Sequence, residues 1–185
     1  MTIQKITEYL TTLETILGQL PEESIDQLVD LLVVARDARK MIFAFGNGGS
    51  ASTASHFACD LLKNTIRENA PRFKAIALND NIPALSAYAN DVGYEAVFSE
   101  PLRILAHPGD VAIAISGSGN SPNVLRAMEV ARDMGLRTVG ITGFQGGKLK
   151  DMVELSIVVP FDDMRIIEDA HLVICHAVHN RLLHV

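Results

Sequence analysis

Five short, nearly unbroken apolar runs, each leading into a stretch with helical spacing, constrain this chain more than any other feature. The runs lie at 41–45, 74–78, 110–115, 137–142 and 155–159. Runs of this length, apolar at successive positions, are buried on both faces, as strands inside a parallel sheet are. Helical spacing predicts helices at 51–63, 83–88, 94–105 and 122–134, the last stopped by Gly135. Two helices precede the first strand, at 2–17 and at 22–39 behind Pro21, and a long one closes the chain at 164–183. With right-handed crossovers, the result is a doubly wound α/β fold: a five-stranded parallel sheet sandwiched by helices. The apolar faces of the two leading helices need partners, on the sheet or on another copy of the chain, and oligomerisation is the expectation.

The length of 185 residues fits one domain, 1–185, and 48% hydrophobic residues suffice for its core. A formal net charge of −6 argues against direct binding of nucleic acid or of an anionic membrane. It does not argue against a phosphate ligand, because backbone N–H groups bind phosphate without Lys or Arg. Cys59 and Cys175 form no disulfide framework, and no charged-then-apolar leader or bilayer-length apolar run is present, so a cytoplasmic location is expected.

In a doubly wound sheet, ligands sit beyond the carboxyl ends of the strands. Two such ends carry loops of small residues: Gly46-Asn47-Gly48-Gly49-Ser50 after the first strand and Ser116-Gly117-Ser118-Gly119-Asn120-Ser121 after the third. Glycine lets the backbone approach a ligand closely, the helix that follows offers free N–H groups, and serine adds neutral donors. That combination suits a phosphate. Gly46, Gly48 and Ala51 also match a loose dinucleotide fingerprint, but no acidic residue closes the second strand at the required distance, since Asp80 lies too far along. No nucleotide cofactor is expected.

These loops, together with His56-Phe57-Ala58, Ala89-Asn90-Asp91, Gly146-Gly147-Lys148 and the segment from His171 to His176, resemble the sugar-isomerase (SIS) domains, in particular the phosphoheptose isomerases. The resemblance implies a flavodoxin-like fold. It implies an enzyme that interconverts sedoheptulose 7-phosphate and D-glycero-D-manno-heptose 7-phosphate, a homotetramer with sites between subunits, and zinc in several members. It implies that Ser50, Ser116, Ser118 and Ser121 hold the phosphate, and that Asn47, Gly48, Gly49, Asn90 and Asp91 line the sugar site. Gly117 stands where the family often has threonine, which removes one hydroxyl.

An aldose–ketose isomerisation moves a proton between adjacent carbons and needs a base and an acid, while a metal can polarise the carbonyl. His56 and Asp60, i and i+4 on a predicted helix, share one face and have the spacing of a metal-ligand pair. The resemblance places Asp60 on a catalytic glutamate, His176 on the catalytic histidine and Glu168 on a glutamine ligand. The implied catalytic pair is Asp60 and His176, and the implied metal set is His56, Asp60, Glu168 and His176, with Glu168 also at the substrate. Anchoring on Arg165 and Ile166 instead puts Ile167 at the glutamine position, so two registers are open. On a straight helix Glu168 and His176 lie roughly 12 Å apart along the axis. His171 and His179 read as packing residues. A second function class is also open: a non-catalytic phosphosugar-binding regulator or a partner of a replication initiator, which the carboxylates Asp60 and Glu168 would fit.

Overall fold

The computed structural model describes residues 5–68 and 70–185. Helix α1 spans Ile6–Leu17 and α2 spans Glu22–Asp37, the latter entered through Pro21. The expected beginning of the first helix, at 2–4, lies outside the described residues. The strands are β1 Met41–Gly46, β2 Lys74–Ala77, β3 Val111–Ser116, β4 Arg137–Gly143 and β5 Leu155–Val159. All pair in parallel, in the order β2-β1-β3-β4-β5. The expected five-stranded sheet is the one observed.

The apolar runs serve two cores because successive side chains in a strand point to opposite faces. Ile42 and Ala44 of β1 face one side, where α1, α2, helix α3 (Gly49–Cys59) and helix α8 (Met164–Leu182) supply Leu28, Leu32, Phe57, Ile166, Ile174 and Val178. Phe43 and Phe45 face the other, against helix α5 (Ser99–Leu105), helix α6 (Pro122–Asp133) and the single turn α7 (Leu149–Met152). Phe45 and Phe98 meet there with ring centroids 5.3 Å apart. Most of the apolar face of α2 is thus covered by its own chain, with Val34 left exposed, and α1 leaves Ile6 and Leu10 exposed.

Three segments differ from the sequence expectation. The helix expected at 94–105 is a 3₁₀ turn, Tyr94–Ala96, followed by α5. Pro101 has no N–H to give and fits only a first turn, so the helix begins at Ser99. The helix expected at 51–63 begins earlier, at Gly49, and passes after Cys59 into a π-helical segment, Asp60–Asn64. The helix expected at 83–88 is longer: α4, Ile82–Asp91, capped by Asn81, whose side chain accepts from the Ala84 N–H. The turn α7 is too short to leave a periodic signature.

His171 of α8 is fully buried, and neither ring nitrogen has a hydrogen-bond partner among the described residues. Burial pushes its pKa from 6.5 down to about 4. The unfolded chain therefore takes up this proton as the pH falls below 6.5, while the fold does not until about 4. Stability held by the neutral ring is complete above pH 6.5 and is lost as the pH falls toward 4. Between pH 6.5 and 5 the loss amounts to about 2 kcal/mol. Thermal melts across that range should show this decline, and His171→Leu should show a shallower one.

Candidate active site

Parallel pairing sets Gly46 beside Ile115, so the loops after β1 and β3 leave the sheet side by side where the strand order reverses. Gly48, the residue ahead of α3, has φ 55° and ψ −124°, a conformation natural to glycine, and Ser50 is buried in the first turn that follows. In the second loop Gly119 has φ +63°, and a Cβ there would fall 2.0 Å from the Gly146 carbonyl oxygen. That close approach seats the 146–148 loop. Asn120 then ties the two loops, donating to the Ser118 carbonyl at 2.9 Å and accepting from the Lys148 N–H at 3.1 Å. The Ser116 and Ser121 hydroxyls stand 3.5 Å apart.

Ser50, Ser116, Ser118 and Ser121 line one cleft of about 190 Å³, with Asn47, Gly117, Met164 and Glu168. Met164 explains how the chain accommodates Gly117: a Cβ at 117 would lie 2.3 Å from the methionine sulfur. Glu168 lies over the first turn of α3, where a Cβ on Gly49 would be 2.8 Å from both carboxylate oxygens. Its carboxylate therefore occupies the positive end of that helix, the place an anionic ligand favours.

A second cluster stands on α3, the π-helical segment and α8. The His56 and His176 Nε2 atoms are 3.4 Å apart, and Asp60 Oδ2 lies 3.5 Å from the first and 4.0 Å from the second. The imidazoles are about half exposed, while Asp60 is buried. Behind them, burial and then the Asp60 charge push the Cys175 thiol up to about 12. Ligands about 2.0–2.1 Å from a tetrahedral zinc stand roughly 3.3–3.5 Å from one another. Two nitrogens and one carboxylate oxygen at these separations fit a divalent metal with an open position. Glu168 is not in this trio. It shares an unbroken helix with His176, and the axial rise of roughly 12 Å keeps the two apart.

Asn90 and Asp91 end α4, both exposed, with the Asn90 amide donating to Asp91 at 2.7 Å; they do not line the cleft of this chain. Two residues that the sequence reading passed over do act on the first loop. Asn47 and Asn123 exchange amide hydrogen bonds of 2.9 Å in both directions, and the Tyr94 hydroxyl donates to Asn47 Oδ1 at 2.9 Å. The sequence marks Asn123 only by its place just after the second loop, its burial in the first turn of α6 being decided by the fold, and nothing in the sequence marks Tyr94. A larger cleft, about 740 Å³, lies along β2 and is walled by apolar residues such as Leu62, Leu78, Val97 and Leu105; it holds none of the trio.

The chain is similar to known proteins over nearly its whole length. The SIS domain family matches residues 6–143. A phosphoheptose isomerase of Paramagnetospirillum magneticum is 41% identical over 174 residues, covering 94% of this chain and 90% of its own. The structure of a phosphoheptose isomerase from Neisseria gonorrhoeae superposes with a TM-score of 0.87 at 31% identity, covering 95% of this chain and 93% of that one. One from Francisella tularensis gives 0.89 at 26%, covering 97% of each chain.

Replacing Glu168 by Gln removes the negative charge from the positive end of α3. Calorimetric titration with inorganic phosphate should then show binding about fivefold tighter than in the unaltered protein, on the order of 1 kcal/mol.

Proposed function

The chain belongs to the SIS-domain family and, within it, to the phosphoheptose isomerases, and on that premise we propose how its own residues carry the reaction. The reaction is the isomerisation of sedoheptulose 7-phosphate to D-glycero-D-manno-heptose 7-phosphate through an enediol. The observation that carries the reading is the approach of Asp60 Oδ2 to His176 Nε2, 4.0 Å, in a chain whose neighbouring loops gather four serines.

Ser50, Ser116, Ser118 and Ser121, with the first turn of α3, hold the phosphate. At about 190 Å³ the cleft is smaller than the roughly 300–1,000 Å³ of sites that enclose a whole ligand, so it takes the phosphate end. Asn47, Gly48 and Gly49 meet the sugar, and Glu168 stands on the substrate side. Asp60 and His176 exchange the protons: one removes a proton from the carbon beside the carbonyl while the other protonates the carbonyl oxygen, giving the enediol. The first then returns its proton to the former carbonyl carbon while the second takes the proton of the other enediol hydroxyl, so both residues end as they began. His56, Asp60 and His176 would hold a divalent metal, read as zinc, which when bound polarises the carbonyl.

Residues 1–185 form one SIS domain, assembled as a homotetramer. Support comes from α4, which has no buried residue, and from Ile82 and Ile104, which are 67% and 70% exposed. In such an assembly Asn90 and Asp91 are free to complete the sugar site of a neighbouring copy. No described helix is long and apolar enough to cross a membrane, and a cytoplasmic location belongs to the same proposal.

One observation favours a second reading, a phosphosugar-binding regulator without turnover: the Glu168 carboxylate occupies the place suited to an anion. Turnover of sedoheptulose 7-phosphate separates the two. His176→Ala should lower kcat by about 10²–10⁴-fold while sugar phosphate still binds, and a chelator should lower turnover by the unaltered protein. Normal turnover by His176→Ala would sink the mechanism, and binding without turnover by the unaltered protein would leave the regulator.

A further inference from the structure

Asp60 opens a π-helical segment, Asp60–Asn64. Helices widen in this way at single turns, frequently at functional sites. Here the segment ends on Asn64, whose side-chain amide donates to Asp60 Oδ1 at 2.8 Å. The other oxygen, Oδ2, is the one that approaches His56 Nε2 at 3.5 Å and His176 Nε2 at 4.0 Å. The two oxygens of one buried carboxylate thus have separate neighbours.

The torsion that orients an aspartate carboxylate is broad and roughly two-fold. Nothing intrinsic to Asp60 therefore selects the plane in which Oδ2 meets the histidines. The histidine nitrogens stand 3.5 and 4.0 Å from Oδ2, beyond the length of a good hydrogen bond, so they do not set that plane. Cys175, on the buried side, is a thiol held neutral by burial and by the Asp60 charge. Asn64 is different: it is neutral, its donor is at hydrogen-bonding distance, and the π-helical backbone carries both partners. We propose that Asn64 is a positioning residue, whose amide occupies Oδ1 of Asp60 so that Oδ2 is presented to His56, His176 and the reacting carbon. A neutral amide does this without adding a charge or a titrating group beside the trio. Because Asn64 is itself exposed, its contribution is to orientation rather than to the core.

This inference rests on the isomerase reading of the trio, and the experiment separates the two. Asn64→Ala and the near-isosteric Asn64→Asp are compared with the unaltered protein in three measurements: turnover of sedoheptulose 7-phosphate, thermal midpoint, and titration with Co²⁺ followed by visible absorption. Loss of an outer partner that orients a ligand costs about ten- to a hundredfold in activity or metal affinity. The expected result is a fall of that size in kcat, larger for Asn64→Asp because two carboxylates then face each other. KM should stay within about twofold because the phosphate loops are untouched, and Co²⁺ should bind about tenfold more weakly or worse. Asn64→Gln, which keeps a donor, should recover part of kcat. A kcat for Asn64→Ala within about twofold of the unaltered protein, or a change confined to the thermal midpoint, overturns the proposal. If the unaltered protein does not turn over the sugar, the isomerase reading fails and the Co²⁺ titration decides alone: equal affinity in the unaltered protein and Asn64→Ala overturns the role of Asn64. An unaltered protein that neither turns over nor binds Co²⁺ overturns both.

Discussion

Parallel pairing of β1 with β3 is the contact on which everything else in the molecule depends. These strands are distant in sequence, yet their pairing sets Gly46 level with Ile115 and delivers two small-residue loops to the same edge of the sheet. The strand order reverses at this point, so no crossover helix covers the opening between the loops. Each loop also leads into a helix whose first N–H groups have no partner within the helix. An anion placed there meets two helix ends and four hydroxyls, with no Lys or Arg among the lining residues. A chain of net charge −6 thus offers a cleft suited to an anion without a basic side chain.

The second dependence is the packing of α8 on α3. His56 and His176 are 120 residues apart in the chain, and they meet only because both helices lie on the same face of the sheet. Phe57 and Ala58 beside His56, and Ile174, Cys175 and Val178 around His176, are all buried in that shared core. The apolar packing on one side of each helix thus points the polar residues of the other side at each other. A buried carboxylate is costly without partners. Asp60 has them in Asn64 on one oxygen and the histidines near the other. The same α8 carries Met164 over Gly117 and Glu168 over Gly49, so one helix closes the two small-residue loops near its beginning and the trio farther along.

Much of this was legible in the residues. The five strands read correctly because strands inside a parallel sheet are apolar at nearly every position, as β1 and β3 are, and the edge strands β2 and β5 keep most of that pattern. The cleft serines were legible because two glycine- and serine-rich loops fall at carboxyl ends of strands, although either one alone reads equally as a turn or a helix cap. His56 and Asp60 were legible as a pair because i and i+4 share a helical face. Legibility failed where the cause was not local. The π-helical segment follows no composition rule, and its local sequence, Asp60 to Asn64, reads as ordinary helix. Tyr94 reaches Asn47 from an exposed turn, through a hydrogen bond that spans 47 positions. Asn90 and Asp91 carry a family resemblance in sequence but sit on a helix with no buried residue, clear of the cleft of their own chain.

The amino-acid order alone settled the fold class, the number of strands and the character of the two loops, because each follows from short-range rules of periodicity, glycine geometry and strand burial. It could not settle which polar residues share a site. Glu168 and His176, on one helix, are separated by its rise of 1.5 Å per residue, so one lines the serine cleft while the other lies in the trio. His56 and His176, remote in the chain, lie 3.4 Å apart. Proximity of that kind is set by how helices dock on a sheet, which depends on the apolar faces of the whole chain and not on the polar residues themselves.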